Sequence, residues 1–265
     1  MTDVEIRRFK LWQDKIDTEV EVSGNGPPLV YLHGPWGLAP DRGFVARLAA
    51  HRTVFAPKFP GTSRGEANAV HALDSWHDVV VYCGELFDKL QLASPAVVGH
   101  SFGALVAAEC AAVAPRAVGR LVLIDPIGLW RDDHPVRNWM ILSDSERAAA
   151  LFAEPGGDAA QRFFAVPAEA QARIDTLSQF IWAQACTSKF VWPLAERGLS
   201  RRIHRIAAPT LVVWGDADRI AAPVYAQEFA RRIAGAQIAL IAGAGHLPHL
   251  ERGDQVVETV AKFLG

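Results

Sequence analysis

An α/β fold built on a mostly parallel sheet is what this 265-residue chain predicts. Three features predict it. Short runs that are apolar throughout recur along the chain, as strands covered on both faces require. Longer segments of helical periodicity alternate with them. The rhythm breaks once, between about residues 127 and 198, where only helical patterns are found.

The elements follow in order. Ile16 to Val22 alternates with period two, and Gly24-Asn25-Gly26-Pro27-Pro28 then forces a turn. Apolar runs at Leu29–Leu32, Thr53–Ala56, Ala96–Val98, Leu121–Ile124, Leu211–Trp214 and Ile238–Ile241 read as buried strands. Helices are expected at Phe44–Ala50, Trp76–Leu90, Phe102–Ala114, Val224–Ile233 and Gln255–Leu264. Ser75 and Asp78 approximate a capping box at the start of the second of these.

Inside the interruption, Ser143-Asp144-Ser145-Glu146 caps a helix through Ala148 to Phe152, which Glu154-Pro155-Gly156-Gly157 stops. Pro167 opens another, with Ile174, Leu177, Ile181 and Ala185 at helical spacing. The expected organisation is a core of residues 1–128 and 199–265 with a helical cap at 129–198. The cap carries Trp130, Trp139, Trp182 and Trp192, with Phe152, Phe163, Phe164, Phe180 and Phe190. Such rings either form a small core of their own or face a cleft between cap and sheet.

Composition excludes several function classes. Half of the residues are hydrophobic and 21% charged, which supplies a large core and argues against disorder. The formal charge of −2 gives no electrostatic reason to expect nucleic acid or an anionic membrane as partner. Met1 to Trp12 has no continuous apolar stretch, so no signal peptide is expected. Ala96–Ala114, the most apolar segment, carries His100 and Glu109 and is unsuited to lipid. Cys83, Cys110 and Cys186 are odd in number and far apart in sequence, and read as reduced thiols of a cytoplasmic protein. The expected partner is a small-molecule substrate, with self-association into a homodimer left open.

The strongest chemical signal is Gly99-His100-Ser101-Phe102-Gly103, set between a strand and a helix. A serine there sits on a tight turn whose glycines avoid backbone clashes, and its hydroxyl is lifted clear of the sheet. The helix N-terminus lies beneath any negative charge that forms. A serine hydroxyl needs a base to take its proton and a carboxylate to orient that base. Gly215-Asp216-Ala217-Asp218 and Gly243-Ala244-Gly245-His246 each follow an expected strand, in the order Ser, Asp, His. Open parallel sheets place their sites at these carboxyl ends.

With His33-Gly34 and Pro60-Gly61, these motifs resemble the α/β-hydrolases over nearly the whole chain. The similarity is to the capped branch containing carboxylesterases and meta-cleavage-product (carbon–carbon bond) hydrolases. The resemblance implies Ser101 as nucleophile, His246 as general base and acid, and Asp218 as orienting acid. Asp216 and Asp125 are competing carboxylates, and the family's Gly-x-x-Asp spacing selects Asp218. No cofactor is implied. No metal is expected, because the histidines show no metal-ligand spacing.

One residue departs from the family pattern. The backbone N–H of Phe102 is expected to bind a developing oxyanion, and the family takes its second donor from the residue after His-Gly. Here that residue is Pro35, which has no N–H. Trp36 is the expected substitute, its ring forming a pocket wall. His100 is expected to line the pocket, by contact with substrate or by holding a neighbouring residue. Trp130, Trp139 and Trp182 are the candidate substrate-binding rings of the cap, and His249 is expected to cap or pack near the mouth. Arg201 to Arg205 reads as the solvated face of an amphipathic helix.

The functional expectation is ester hydrolysis of an apolar or aromatic small molecule through an acyl-enzyme. Carbon–carbon hydrolysis is the alternative. Those relatives usually carry Asn where His100 stands and Met where Phe102 stands, and use a cap arginine that none of Arg131, Arg137, Arg147, Arg162 and Arg173 can be matched to. A non-catalytic ligand-binding role is the remaining reading.

Overall fold

A computed structural model describes residues 3–63, 67–193 and 195–265. Among the described residues, eight strands form one sheet in the order β1-β2-β4-β3-β5-β6-β7-β8. They are β1 (Val4–Leu11), β2 (Ile16–Ser23), β3 (Pro28–Leu32), β4 (Thr53–Pro57), β5 (Ala96–His100), β6 (Arg120–Ile124), β7 (Thr210–Gly215) and β8 (Gln237–Ile241). From β4 onward across the sheet every pairing is parallel, while β1 and β2 join antiparallel. The strands expected from apolar runs all form. β1 is an addition to them. Its side chains are mostly exposed, so no buried run marks it.

Helices cover both faces. Helices α1 (Arg42–Leu48) and α10 (Gly253–Leu264) pack with Leu29, Val54, Val98, Val122 and Val213 on one side. Helices α2 (Trp76–Leu90) and α3 (Phe102–Val113) pack on the other with Val30, Val97, Leu121 and Val212. The capping box of α2 forms as read, with Ser75 accepting from the Asp78 N–H. Cys83 on α2 and Cys110 on α3, distant in sequence, are buried free thiols, and the neighbouring Cys110 together with burial pushes the Cys83 thiol well above its ordinary range.

Between β6 and β7 lie α4 (Asp144–Leu151), α5 (Asp158–Phe163), α6 (Ala170–Val191) and α7 (Leu199–Arg202). The Ser143–Glu146 capping box is present at α4. Glu169, not Pro167, caps α6, accepting from the N–H groups of Gln171 and Ala172. Three of the apolar residues at helical spacing on α6 face away from the protein. Ile174, Leu177 and Ile181 are 58%, 44% and 61% exposed. The buried residues of α6 are instead mostly small or polar: Ala183, Gln184, Cys186, Thr187 and Ser188, with Phe190 and Val191 at its end. Phe152, Phe163, Phe164 and Phe180 form an edge-to-face cluster, so these rings pack on one another as a miniature core.

Polar side chains of α6 tie the segment to the core. Gln179 donates to the Thr62 carbonyl, Trp182 to that of Ala67, Thr187 to that of Pro35, and Lys189 to those of Val70 and Leu73. A second tie departs from the solvated reading of Arg201–Arg205 at one residue, Arg202, while Arg201, His204 and Arg205 are exposed as read. Arg202 forks onto Glu109 of α3 at 2.8 and 2.6 Å, and the Glu109 side chain is only 1% exposed. Leu199, Ile203 and Ile206 are buried beneath it, as the amphipathic pattern requires.

Candidate active site

The carboxyl ends of five adjacent parallel strands build this site. Leu32 leads into His33-Gly34, His100 into Ser101, Ile124 into Asp125, Gly215 into the Asp216–Asp218 loop, and Ile241 into the His246 loop. Parallel pairing in register therefore brings distant loops to one edge of the sheet.

Ser101 occupies the turn between β5 and α3 with φ +50° and ψ −110°, outside the ordinary regions for an L-residue. Its N–H is held by the Ile124 carbonyl at 2.9 Å. Neighbouring backbone makes the turn possible only for glycine on both sides. A Cβ on Gly103 would stand 2.1 Å from the Leu32 carbonyl oxygen, and one on Gly99 would stand 2.7 Å from Ala104 Cα. Phe102 is the first residue of α3, ahead of the first helical bond from Leu105 N to the Ser101 carbonyl. Its N–H is thus one of the unpaired donors of a helix start.

The three residues expected to act together are brought together. His246 Nε2 lies 2.8 Å from Ser101 Oγ, and His246 Nδ1 lies 2.8 Å from Asp218 Oδ2. Asp218 Oδ1 accepts the N–H groups of Ile220 and Ala221 at 2.7 and 3.1 Å, which fixes the carboxylate from behind. Asp216, the competing carboxylate of the same loop, is exposed and accepts the Gly243 N–H. Asp125 is fully buried against Asp218, and burial with that adjacent carboxylate pushes its carboxyl well above the usual range.

His100 takes a holding position. Its Nε2 donates to the His246 carbonyl at 2.8 Å, and the ring is wholly buried. Burial, with His249 and His246 close by, holds His100 neutral, its pKa well below the ordinary 6.5. His249 is not at a mouth. It is buried, its Nε2 lies 3.0 Å from Asp41 Oδ1, and its ring centroid is 4.3 Å from that of His100. Tyr31 donates to the other Asp41 oxygen at 2.7 Å. Asp41 carries no signal in the sequence, and its ligand-like grouping with His100 and His249 arises only in the fold.

The loop after β3 keeps an uncommitted donor. Gly37 N bonds to the Gly34 carbonyl across Pro35 and Trp36, and Trp36 N–H has no acceptor among the described residues. The Trp36 ring is buried edge-on against Phe163 and tilted against Trp139. It also lines a cleft of about 660 Å³ between α1, α5 and α6, with Phe163, Phe180, Arg42 and Arg162. Ser101 and His246 lie outside that cleft, and Ser101 is 0% exposed. Trp130 is half-buried with its indole N–H on Asp132, and Trp182 is committed to the Ala67 carbonyl.

A model of the alpha/beta hydrolase family matches residues 29–259. This chain belongs to that family. The hydrolase is 29% identical over 243 residues to the pimeloyl-[acyl-carrier protein] methyl ester esterase of Aromatoleum aromaticum, covering 85% of this chain and 93% of that one. It is 28% identical over 267 residues to the polyketide synthase ThaQ of Burkholderia thailandensis, matching 93% of its own length but spanning only 12% of that protein. Solved structures share the fold. Naproxen esterase from Bacillus subtilis superposes with a TM-score of 0.77 at 16% identity, covering 100% of the hydrolase and 92% of that chain. A mutant of the meta-cleavage product hydrolase CumD from Pseudomonas fluorescens IP01 gives 0.75 at 18% identity, with 97% of each chain covered.

Proposed function

We propose that this hydrolase cleaves a carboxylic ester of an apolar or aromatic small molecule through a covalent acyl-enzyme. The observation that carries the reading is the unbroken line from Ser101 Oγ through His246 to Asp218, each link 2.8 Å. His246 Nε2 takes the Ser101 proton as the oxygen attacks the substrate carbonyl. Asp218 holds the Nδ1 proton and stabilises the imidazolium that forms. The N–H groups of Phe102 and Trp36 receive the oxyanion, each worth about 10²–10³ in rate. His246 then protonates the leaving alcohol, and the same imidazole activates water to release the acid. The uncommitted state of both N–H groups supports their assignment.

Segment 129–198 acts as the cap in this reading. With Ser101 sealed from solvent, substrate enters only after the hydrogen bonds from Gln179, Thr187 and Lys189 to the core loops let go. The rings of Trp36, Trp139 and Phe163, packed together beside the loop after β3, support an apolar acyl or aryl group.

The test is a series of p-nitrophenyl esters of increasing chain length, run beside a ring-cleavage dienoate. Turnover of the esters, abolished by about 10⁴-fold or more in Ser101→Ala, is the expected result. Turnover of the dienoate alone would transfer the reading to carbon–carbon hydrolysis, and silence on every substrate would leave a binding protein.

A further inference from the structure

A carboxyl group that the cycle above does not use stands against Asp218. Asp125 ends β6, is 0% exposed and carries a positive φ of +41°. Its backbone N–H is held by the Val213 carbonyl, and its Oδ1 accepts the Gly215 N–H at 3.0 Å. Its Oδ2 is buried and finds no hydrogen-bond donor. Asp125, Asp218 and His246 each place a polar atom within 4.8 Å of the other two. The titratable groups facing Asp125 are Asp218 on the β7–α8 loop (α8 being Val224–Arg232), His246 on the β8–α9 loop and Glu251 on α9 (Pro248–Glu251). None is a lysine or arginine.

Two buried carboxylates this close cannot both ionise beside one imidazole, so one holds a proton. The donors decide which. Asp218 receives two backbone N–H groups and His246 Nδ1, whereas Asp125 receives one backbone N–H. The negative charge is better solvated on Asp218, and the proton falls to Asp125.

We propose that Asp125 is a positioning residue whose protonated carboxyl donates a hydrogen bond from Oδ2 to Asp218. The proposal rests on the hydrolase reading for its kinetic consequence and on geometry alone for the proton. The bond satisfies the orphaned oxygen and adds a fourth donor to Asp218, holding the carboxylate in line with His246 Nδ1. It also draws charge from Asp218, which weakens the hold of Asp218 on the imidazolium. Burial against Asp218 raises the affinity of Asp125 for its proton, in agreement with this placement.

The test uses infrared difference spectroscopy of the whole protein at neutral pH with Asp125→Asn, whose amide supplies the same donor and acceptor. A protonated carboxylic-acid carbonyl band is expected in the wild type, absent in Asp125→Asn and retained in Asp216→Asn. A wild type without the band, a band that survives Asp125→Asn, or an Asp125→Asn chain that does not fold would each overturn the proposal. In ester kinetics, Asp125→Ala should lower kcat roughly tenfold, as loss of one hydrogen bond to a charged group does. It should also move the acid limb of the kcat/KM profile to higher pH, which partial unfolding would not do. Asp125→Asn should restore both. Equal losses in the two variants would count against the hydrogen bond. The infrared band needs no substrate, so a chain that shows it without cleaving any ester refutes the ester-hydrolysis reading and leaves the proton in place.

Discussion

The α-carbon of Gly103 lies so close to Leu32 that a Cβ would stand 2.1 Å from the Leu32 carbonyl oxygen, with the His33 carbonyl at 2.5 Å. Both obstacles are backbone, so nothing flexible can yield. Gly103→Ala should therefore cost about 3 kcal/mol or more and separate Ser101 from His246. Urea unfolding and ester turnover together check it. A variant as stable and active as wild type would mean that α3 can slide along β3.

The two carboxylates of one loop should differ sharply in turnover. Asp218 is buried on His246 Nδ1, while Asp216 is exposed on the Gly243 N–H. Asp218→Asn keeps the shape but favours the wrong imidazole tautomer, and kcat should fall by roughly 10⁴-fold. Asp216→Asn should stay near wild type. Steady-state kinetics on one ester decides between them, and a reversed order would move the orienting role to Asp216.

Arg202 and Glu109 should prove unequal when cut separately. Glu109 is 1% exposed at its side chain and Arg202 35%, so removing the arginine strands a buried carboxylate. Removing the carboxylate leaves a guanidinium that can turn toward water. Arg202→Ala should cost about 3 kcal/mol or more, and Glu109→Gln clearly less. Denaturant midpoints measure both, and equal losses would place the pair's contribution in packing instead.

His100 gives a pH dependence of known sign. Its folded pKa is held well below the ordinary 6.5 by burial and by His249 and His246, so unfolding takes up a proton in acid. Its contribution is fully present above about pH 7 and is lost as pH falls below about 6.5, at up to about 1.4 kcal/mol per unit. His100→Gln keeps a donor for the His246 carbonyl but cannot titrate. The stability of wild type relative to this variant should therefore decline from neutral pH toward pH 5. A difference flat across that window would mean that His100 takes up its proton as readily in the folded protein as in the unfolded chain.

Much of the architecture was legible because it depends on local pattern. The runs at Leu29, Ala96, Leu121 and Leu211 are buried on both faces, and such strands announce themselves without help from the rest of the chain. β1 did not, since its pairing with β2 needs no buried face. The spacing of Ile174, Leu177 and Ile181 left the orientation of α6 open for a related reason. Helical spacing reveals that a helix has a face but not which face meets the protein, and here small polar residues approach the Pro35 loop.

Residue order by itself determined the strand–turn–helix around Ser101, the loops bearing Asp218 and His246, and the loss of a donor at Pro35. Each depends on residues within a few positions of one another. Tertiary structure alone decided that His249 pairs with Asp41 beneath His100, that Arg202 reaches a buried Glu109, and that Asp125 shares its pocket with Asp218. Those partners are far apart in the chain. Charge and hydrogen bonding act through space, so no reading of neighbours along the polypeptide could weigh them.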